Sequence, residues 1–510
     1  MNLQATTNHP FQRISQWRDK PWFFTVMGIL VAIAAGWLVG AWGIMGAVIT
    51  IGLPIALVVG ISVLLEPKIG LFLYIQISFV LGFSRFLETE LAVGTALDAL
   101  LMLTLLSTFL NGKRMDWKRL RRPIFWLLIT WLSFTILEYF NPSHPFPAAW
   151  FYGARSLSLN WFLIAIVVLV APITKKDIRL FVGSWLFWSF MAALWAFKQQ
   201  YIGLEAAELR WLAAGAAKQH ILWGQLRSFS FYSDAGQFGS EMAGVTLVCI
   251  IFFFETSSWI KRFLLLFLAI IFFWGFAVSG TRGALFVIVA GYPAYFVLKR
   301  NLVYILRGLM VALPILAFLL FTHIGDSVYQ IWRIRTALRP TQDASFLVRL
   351  ENQQKLQQYL KDLPFGAGIG TTSGNGQRFT PNYFAAQIPT DSWYVQVWIE
   401  TGIVGLSVYL TFLAMIALIG TIKVWQLKDP WLTSVMIALL AEFIGICVVS
   451  YTNPILGQFP TSTIVFISSI LFTTCDRWDS LPEARSTVDT THKRYLYENR
   501  NRSTTTPSPA

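Results

Sequence analysis

At 55% hydrophobic and 13% charged residues over 510 positions, with 42 Phe and 22 Trp, the chain is too apolar for an ordinary soluble domain. Its net charge of +14 is spread over short basic stretches and not gathered on a soluble basic domain, which excludes a nucleic-acid partner. Cys249, Cys447 and Cys475 have neither disulfide nor metal spacing, so no metal, redox role or cofactor is expected.

A polar arm, residues 1–20, precedes the first apolar run, and no cleavable signal is expected in it. Runs long enough to cross ~30 Å of hydrocarbon then recur along the chain. The first seven are expected at Trp22–Val39, Ile44–Leu65, Ile69–Phe86, Val93–Leu110, Pro123–Phe140, Leu157–Ala171 and Leu180–Phe197. The next four fall at Ala235–Phe254, Phe263–Gly280, Gly283–Leu298 and Gly308–Thr322. Trp393–Thr421, Pro430–Thr452 and Thr461–Cys475 complete a membrane domain over 21–475. The fold class is therefore all-α, a polytopic integral membrane protein of about fourteen spans. Residues 476–510 form a polar tail, read as disordered.

Alternating the spans from a cytoplasmic N-terminus places most of the 40 Lys and Arg inside, as short loops require. Both termini are then cytoplasmic, and loops 198–234 and 323–392 face out. The short outward connections hold Arg85, Arg155 and Arg282.

The first outward loop contains Arg210, Lys218 and His220, and its last part, Gln225–Gln237, brings Arg227 to the membrane surface. A snorkelling arginine at a span end satisfies the same pattern. Next comes Val278-Ser279-Gly280-Thr281-Arg282-Gly283-Ala284, a tight outward turn. Positive charge is normally avoided there, so Arg282 calls for a salt bridge or an anion held by its planar guanidinium.

The loop from His323 to Ser392, between spans 11 and 12, is too long for a connector and reads as a cap. Asp343-Ala344-Ser345 starts a helix whose apolar residues recur to Leu363, and Pro364 stops it. That helix suits the outer membrane surface or the roof of a cavity. Gly366-Ala367-Gly368-Ile369-Gly370 lacks the flanks of a nucleotide fingerprint and reads as a turn. The loop closes on Pro389–Gly402, which sets Asp391 where the chain re-enters lipid and Glu400 nine residues on. Carboxylates at such positions are functional or paired. Asp391 is a candidate general base, and equally a candidate cap for the helix from Trp393.

In this order and on this face, the Ser-Gly-Thr-Arg-Gly turn, Asp-Ala-Ser-Phe-Leu-Val-Arg, Leu-Pro-Phe-Gly-Ala-Gly-Ile-Gly and Trp-Ile-Glu-Thr-Gly-Ile-Val-Gly-Leu resemble the O-antigen ligase and Wzy-type polymerase superfamily over residues 225–420. The resemblance implies a GT-C-like, metal-independent glycosyltransferase at the outer face of a bacterial inner membrane. Its donor would be a polyprenyl-diphosphate-linked glycan and its acceptor a glycan or lipid-linked glycan. The lipid bilayer and other polysaccharide-assembly proteins would be its remaining partners. Arg227 and Arg282 match the family's diphosphate-contacting arginines. Arg349 matches the arginine of its loop helix, serving substrate or fold. With Arg210, and with Glu400 supporting the site or pairing an arginine, they complete the candidate set. Ligases usually carry a histidine where this chain has Asp391, which favours a polymerase or another polysaccharide transferase over a lipid A–core ligase.

The competing class is a small-anion transporter, for bicarbonate for example, since arginines at the mouth of a helical bundle suit anions too. A scaffold within an export complex is a third. Transporters place polar groups near the midplane in paired broken helices. Here the intramembrane acids are few (Asp98, Glu241 and Glu442), and the polar groups cluster on one face, which favours surface chemistry.

The topology is directly testable. Cysteines introduced at Ser373 or Gly374 are expected to react with an impermeant thiol reagent in intact cells, and cysteines at Asn111 or Ser480 are not. Labelling of the Asn111 position from outside would reverse the orientation.

Overall fold

In hydrocarbon a chain has no water to satisfy its backbone, so apolar runs fold as helices that close their own hydrogen bonds. The computed structural model describes residues 21–86, 93–143, 146–301 and 344–479, with isolated positions between 303 and 335. The expected span Gly308–Thr322 falls largely outside these stretches, as do the arm 1–20, the tail from 480 and Asp343.

Five helices open the described chain: α1 (Pro21–Trp42), α2 (Ile44–Leu65), α3 (Pro67–Val80), α4 (Val93–Leu110) and α5 (Pro123–Leu137). Then α6 (Pro147–Ala154) continues through a π-helical turn, Arg155–Leu159, into α7 (Asn160–Val170). After α8 (Lys175–Tyr201) comes a polar excursion with α9 (Ala206–Trp211), α10 (Ala217–His220) and a hairpin of β1 (Ile221–Leu222) and β2 (Gln225–Leu226). Next are α11 (Ala235–Glu255), α12 (Trp259–Val278) and α13 (Leu285–Lys299). The cap contributes α14 (Ala344–Tyr359), α15 (Ser373–Phe379) and α16 (Phe384–Gln387). The chain closes with α17 (Trp393–Trp425), α18 (Pro430–Val449), α19 (Thr461–Thr473) and α20 (Asp476–Asp479).

Among the described residues, ten helices are long and apolar enough to cross a membrane, and shorter apolar ones stand at Ile49–Leu65, Gly94–Leu110 and Thr461–Thr473. The chain is an all-α polytopic membrane protein. α11 and α18 form its centre and are mostly buried, whereas none of the apolar window of α1 is. α11 packs on α12 and α18, and α18 on α13 and α19. The outer face of α12 shows the reverse of a soluble pattern. Phe263, Phe267, Ile270 and Phe273 recur at helical spacing and are all exposed, as a lipid-facing stripe requires.

Two boundaries differ from expectation. The span expected from Leu157 starts earlier, at Pro147. The Arg155 charge does not end the helix, because its guanidinium donates to Asp98 Oδ2 at 2.7 Å across the bundle. At the other end, the last described helix lies past Cys475, inside the expected tail. Trp478 is fully buried and donates to the Ile173 carbonyl at 2.7 Å. Arg477 donates to the carbonyls of Val168 and Ala171, and Asp476 meets both Arg122 (2.6 Å) and Lys423 (3.6 Å). These contacts satisfy the last carbonyls of α7 and neutralise a basic end of the bundle.

α17 is broken. Gly402 sits at φ 66°, ψ −171°, a region essentially reserved for glycine. The break frees the carbonyls of Ile399 and Glu400 and the N–H of Val404. All three find partners in the glycine-rich run. Ala367 N–H donates to Ile399 O at 2.7 Å, Gly368 N–H to Glu400 O at 3.1 Å, and Val404 N–H to Pro364 O at 3.2 Å. Contact is backbone to backbone: a Cβ on Gly402 would stand 2.0 Å from Pro364 O, and one on Gly366 2.5 Å from Gly402 N. The expected turn is thus a plug that restores the broken ladder. Asn141 fastens it from the end of α5, donating to Phe365 O at 3.0 Å and to Glu138 at 2.8 Å.

Gly402→Ala is therefore expected to lower stability by roughly 1–3 kcal/mol from backbone strain alone, with displacement of the plug added. Gly374→Ala, where a Cβ meets nothing within 4 Å, should stay within about 0.5 kcal/mol of the parent. Thermal unfolding of the two variants in detergent makes the comparison.

Candidate functional site

The polar segments gather at one end of the bundle, and the first of them is built on a helix N-terminus. Asp234 caps α11: its Oδ1 accepts from Gln237 N–H at 2.9 Å and its Oδ2 from Gln458 Nε2 at 3.1 Å. Arg227 lies across the 278–284 turn. Its Nε donates to Ser279 O at 3.1 Å, one terminal nitrogen to Thr281 Oγ1 at 2.9 Å, and the other to Gln219 O at 2.8 Å. Thr281 passes the link on to Ala235 O at 2.7 Å. Gly280, at φ 59°, reverses the chain, and Gly283 fits only because it lacks a side chain. A Cβ there would lie 2.2 Å from Thr452 Oγ1 and 3.0 Å from Asn453 Nδ2. Between these glycines Arg282 opens a 3-10 turn and is half-buried. Arg227 and the Arg282 turn thus share one corner with Asn453.

His220 fastens that corner from behind. Its Nε2 accepts from Ala235 N–H at 3.2 Å, which leaves Nδ1 to donate to Ala216 O at 2.9 Å and defines a neutral tautomer. Its carbonyl accepts from the N–H of Arg227 at 2.8 Å. The ring is buried between Trp211 (4.8 Å) and Phe229 (5.3 Å), the same two rings over which Arg85 lies at 4.6 and 5.1 Å. Burial lowers the His220 pKa below 6.5, and the nearby Arg227 and Arg85 act in the same direction.

Asp391 stands at the head of α17 with just over half of its side chain exposed, and its Oδ2 pairs with Arg349 Nε at 3.4 Å. It does not cap the helix. Ser392 does, accepting from Val395 N–H at 3.4 Å, since the cap must sit one residue closer to Trp393. Trp393 N–H donates to Ser450 O at 2.9 Å. From Ser450 the chain reaches Thr452 and Asn453, the neighbours of Gly283. Asp391 and the arginine corner therefore lie on one rim.

Glu400 lies beneath that rim, 2% exposed. No arginine pairs with it among the described residues. It accepts from Thr372 Oγ1 at 2.6 Å and Gln396 Nε2 at 3.3 Å. Ser373, at φ 53°, bonds onward to Thr390 and Gln396. The buried carboxylate thus anchors the residue next to Asp391 through hydroxyls. Arg210 is exposed on α9.

Sequence reasoning passed over Asn453, Thr372 and the positioning part of Asp234. A signal existed for two of them. Ser233-Asp234 precedes an apolar helix as a cap should, and Thr452-Asn453-Pro454 is polar between two spans. Among the described residues no three His, Cys, Asp or Glu side chains are grouped to hold a metal ion.

Residues 267–410 match the family model described as O-Antigen ligase. That stretch contains Arg282, Arg349, Asp391 and Glu400, together with the plug and the Gly402 break. A second comparison finds an O-antigen polymerase of Salmonella muenchen, 29% identical over 194 residues. That alignment spans 38% of this chain and 46% of the polymerase, so less than half of either protein is compared. Both comparisons support the likeness to the O-antigen ligase and polymerase superfamily drawn from the motifs.

The histidine generates a pH prediction. Folding lowers the His220 pKa, so the unfolded chain binds the extra proton more readily. The stabilisation is complete above the unfolded value of about 6.5 and is lost as pH falls through the lower folded value. Protonation sets an N–H of the ring against the N–H of Ala235. Thermal unfolding in detergent between pH 8 and 5 should fall more steeply for the parent than for His220→Gln, which cannot titrate. Equal slopes would remove His220 from the linkage.

Proposed function

We propose that the chain is a membrane glycosyltransferase of the polymerase or ligase type, acting at the outer face of a bacterial inner membrane on polyprenyl-diphosphate-linked glycan. The observation that carries this reading is the shared rim. A corner that immobilises Arg227 and the Arg282 turn stands on the same edge as an exposed carboxylate, Asp391, with Ser450–Asn453 between them.

The chemistry follows from those groups. A diphosphate leaving group outside the cell must have its developing charge met by fixed donors, and guanidinium groups provide it without deprotonating. Arg227 is held by three bonds to neutral oxygens, so its position is set before substrate arrives. Asp391 takes the proton of an acceptor hydroxyl as that oxygen attacks the anomeric carbon. The bond from that carbon to the diphosphate oxygen breaks, and the diphosphate leaves toward the arginines. Arg349 orients the Asp391 carboxylate, and Glu400 holds the adjacent chain through Thr372, Gln396 and Ser373.

Transfer from a purified polyprenyl-diphosphate-linked repeat, in a chelator-containing buffer, tests these roles. Asp391→Asn keeps shape, and Ser392 keeps the cap, so turnover should fall by roughly two to four orders of magnitude with folding unchanged. Arg282→Lys keeps charge but loses the planar fork and should be markedly impaired, with Arg282→Ala worse. Near-parental turnover in Asp391→Asn would remove it as base. A deletion strain that keeps its glycans but loses anion uptake would replace the reading by transport.

A further inference from the structure

Asp391 has a second neighbourhood, tethered separately from the arginine corner. Thr390 bonds to Ser373, the first residue of α15. Arg378 and Phe379 occupy the other end of that short helix, about 8 Å away at the usual helical rise. There α15 packs on α6. Phe379 stacks on Tyr152 with centroids 5.4 Å apart and planes at 26°. Both rings are half-buried, each keeping part of its surface open.

Two guanidinium groups attend this stack. Arg378 lies 5.2 Å from the Tyr152 centroid and 5.0 Å from that of Phe379, and Arg155 lies 5.4 Å from Tyr152. Arg155 is held by Asp98, and those two side chains keep 18% and 23% of their surface. Arg155 Nε and Asp98 Oδ1 are themselves buried, and neither has a hydrogen-bond partner among the described residues. Arg378 is exposed and meets no carboxylate among the described residues.

Aromatic faces take the C–H face of a pyranose, and a guanidinium fork beside a carboxylate takes its hydroxyls. Because Asp98 neutralises Arg155, the cluster carries a net charge of only one and suits a neutral polyhydroxyl better than a diphosphate. We infer that the Tyr152–Phe379 stack, with Arg378 and the Arg155–Asp98 pair, binds a sugar ring of the acceptor glycan and presents its chain to Asp391. The inference rests on the glycan-transfer reading. It assigns the acceptor and not the donor, because α15 ties the cluster to Thr390 and not to the Arg282 turn.

Arg378→Gln changes an exposed side chain and should leave the fold intact; Tyr152→Leu removes the platform. In transfer assays with each substrate varied in turn, both are expected to raise the acceptor KM roughly ten-fold, with the donor KM unchanged. A raised donor KM, or a lowered kcat with both KM values kept, overturns the assignment. A second arm needs no turnover. Single-repeat oligosaccharides, released by mild acid from the host's own surface polysaccharide, are tested by saturation-transfer NMR against the protein in nanodiscs. A sugar signal abolished in Arg378→Gln but kept in Arg282→Ala supports the subsite. A signal equal in the parent and Arg378→Gln overturns it and leaves the transferase reading standing. Sugar binding with no transfer from any polyprenyl-linked donor supports the subsite and overturns the transferase reading.

Discussion

A helix broken inside a membrane must replace the backbone bonds it gives up, and no water is there to take them. At Gly402 the replacements come from residues 364–368, the glycine-rich run that leads from the cap helix α14 back to α15. The consequence reaches beyond local repair. Once the plug is seated, residues 369–373 are pinned against α6, where a Cβ on Gly370 would collide with Ala149 O. Thr372 then meets Glu400, Ser373 meets Thr390, and Asp391 is placed. One irregular backbone position thus carries the geometry of the rim.

The rim itself is assembled from parts far apart in the chain, and neutral donors and acceptors hold several of them. Arg227 bonds to two carbonyls and a hydroxyl, and Glu400 to a hydroxyl and an amide. An arginine neutralised by an acid would offer a diphosphate little. Donors already aligned by neutral oxygens need little reorganisation to meet a developing charge. The arrangement differs at Arg155, which spends its charge on Asp98, and at Arg378, which lies along aromatic rings. This contrast in how guanidinium groups are held is the physical basis for giving the two clusters different ligands.

Length and apolarity made the spans legible, and α1, α2, α4 and α11 begin within a residue or two of where the runs predict. What escaped was set by partners remote in sequence. Glu400-Thr401-Gly402 interrupts an apolar run without any Pro to mark a break, so only the plug reveals the kink. Arg155 looked like a loop charge because Asp98 lies a full span away. At the site, the motif residues of the 278–284 turn and Arg227 proved neighbours, while Asn453, which both the turn and the α11 N-terminus approach, carries no motif of its own. The cap fell to Ser392 and not Asp391, a shift of one residue that helix-start signals do not separate.

The short helix α20 bears on the order in which the molecule is made. Asp476 joins Arg122 to Lys423, and Trp478 fills a place beside Ile173, so this helix locks the first third of the bundle to its final spans. Its residues leave a ribosome only after every described span has been synthesised. Until they arrive, the carbonyls that end α7 lack Arg477, and the basic end of the bundle lacks the carboxylate that joins Arg122 and Lys423. The tie between Arg122 and Lys423 through Asp476 is therefore complete only with α20 in place.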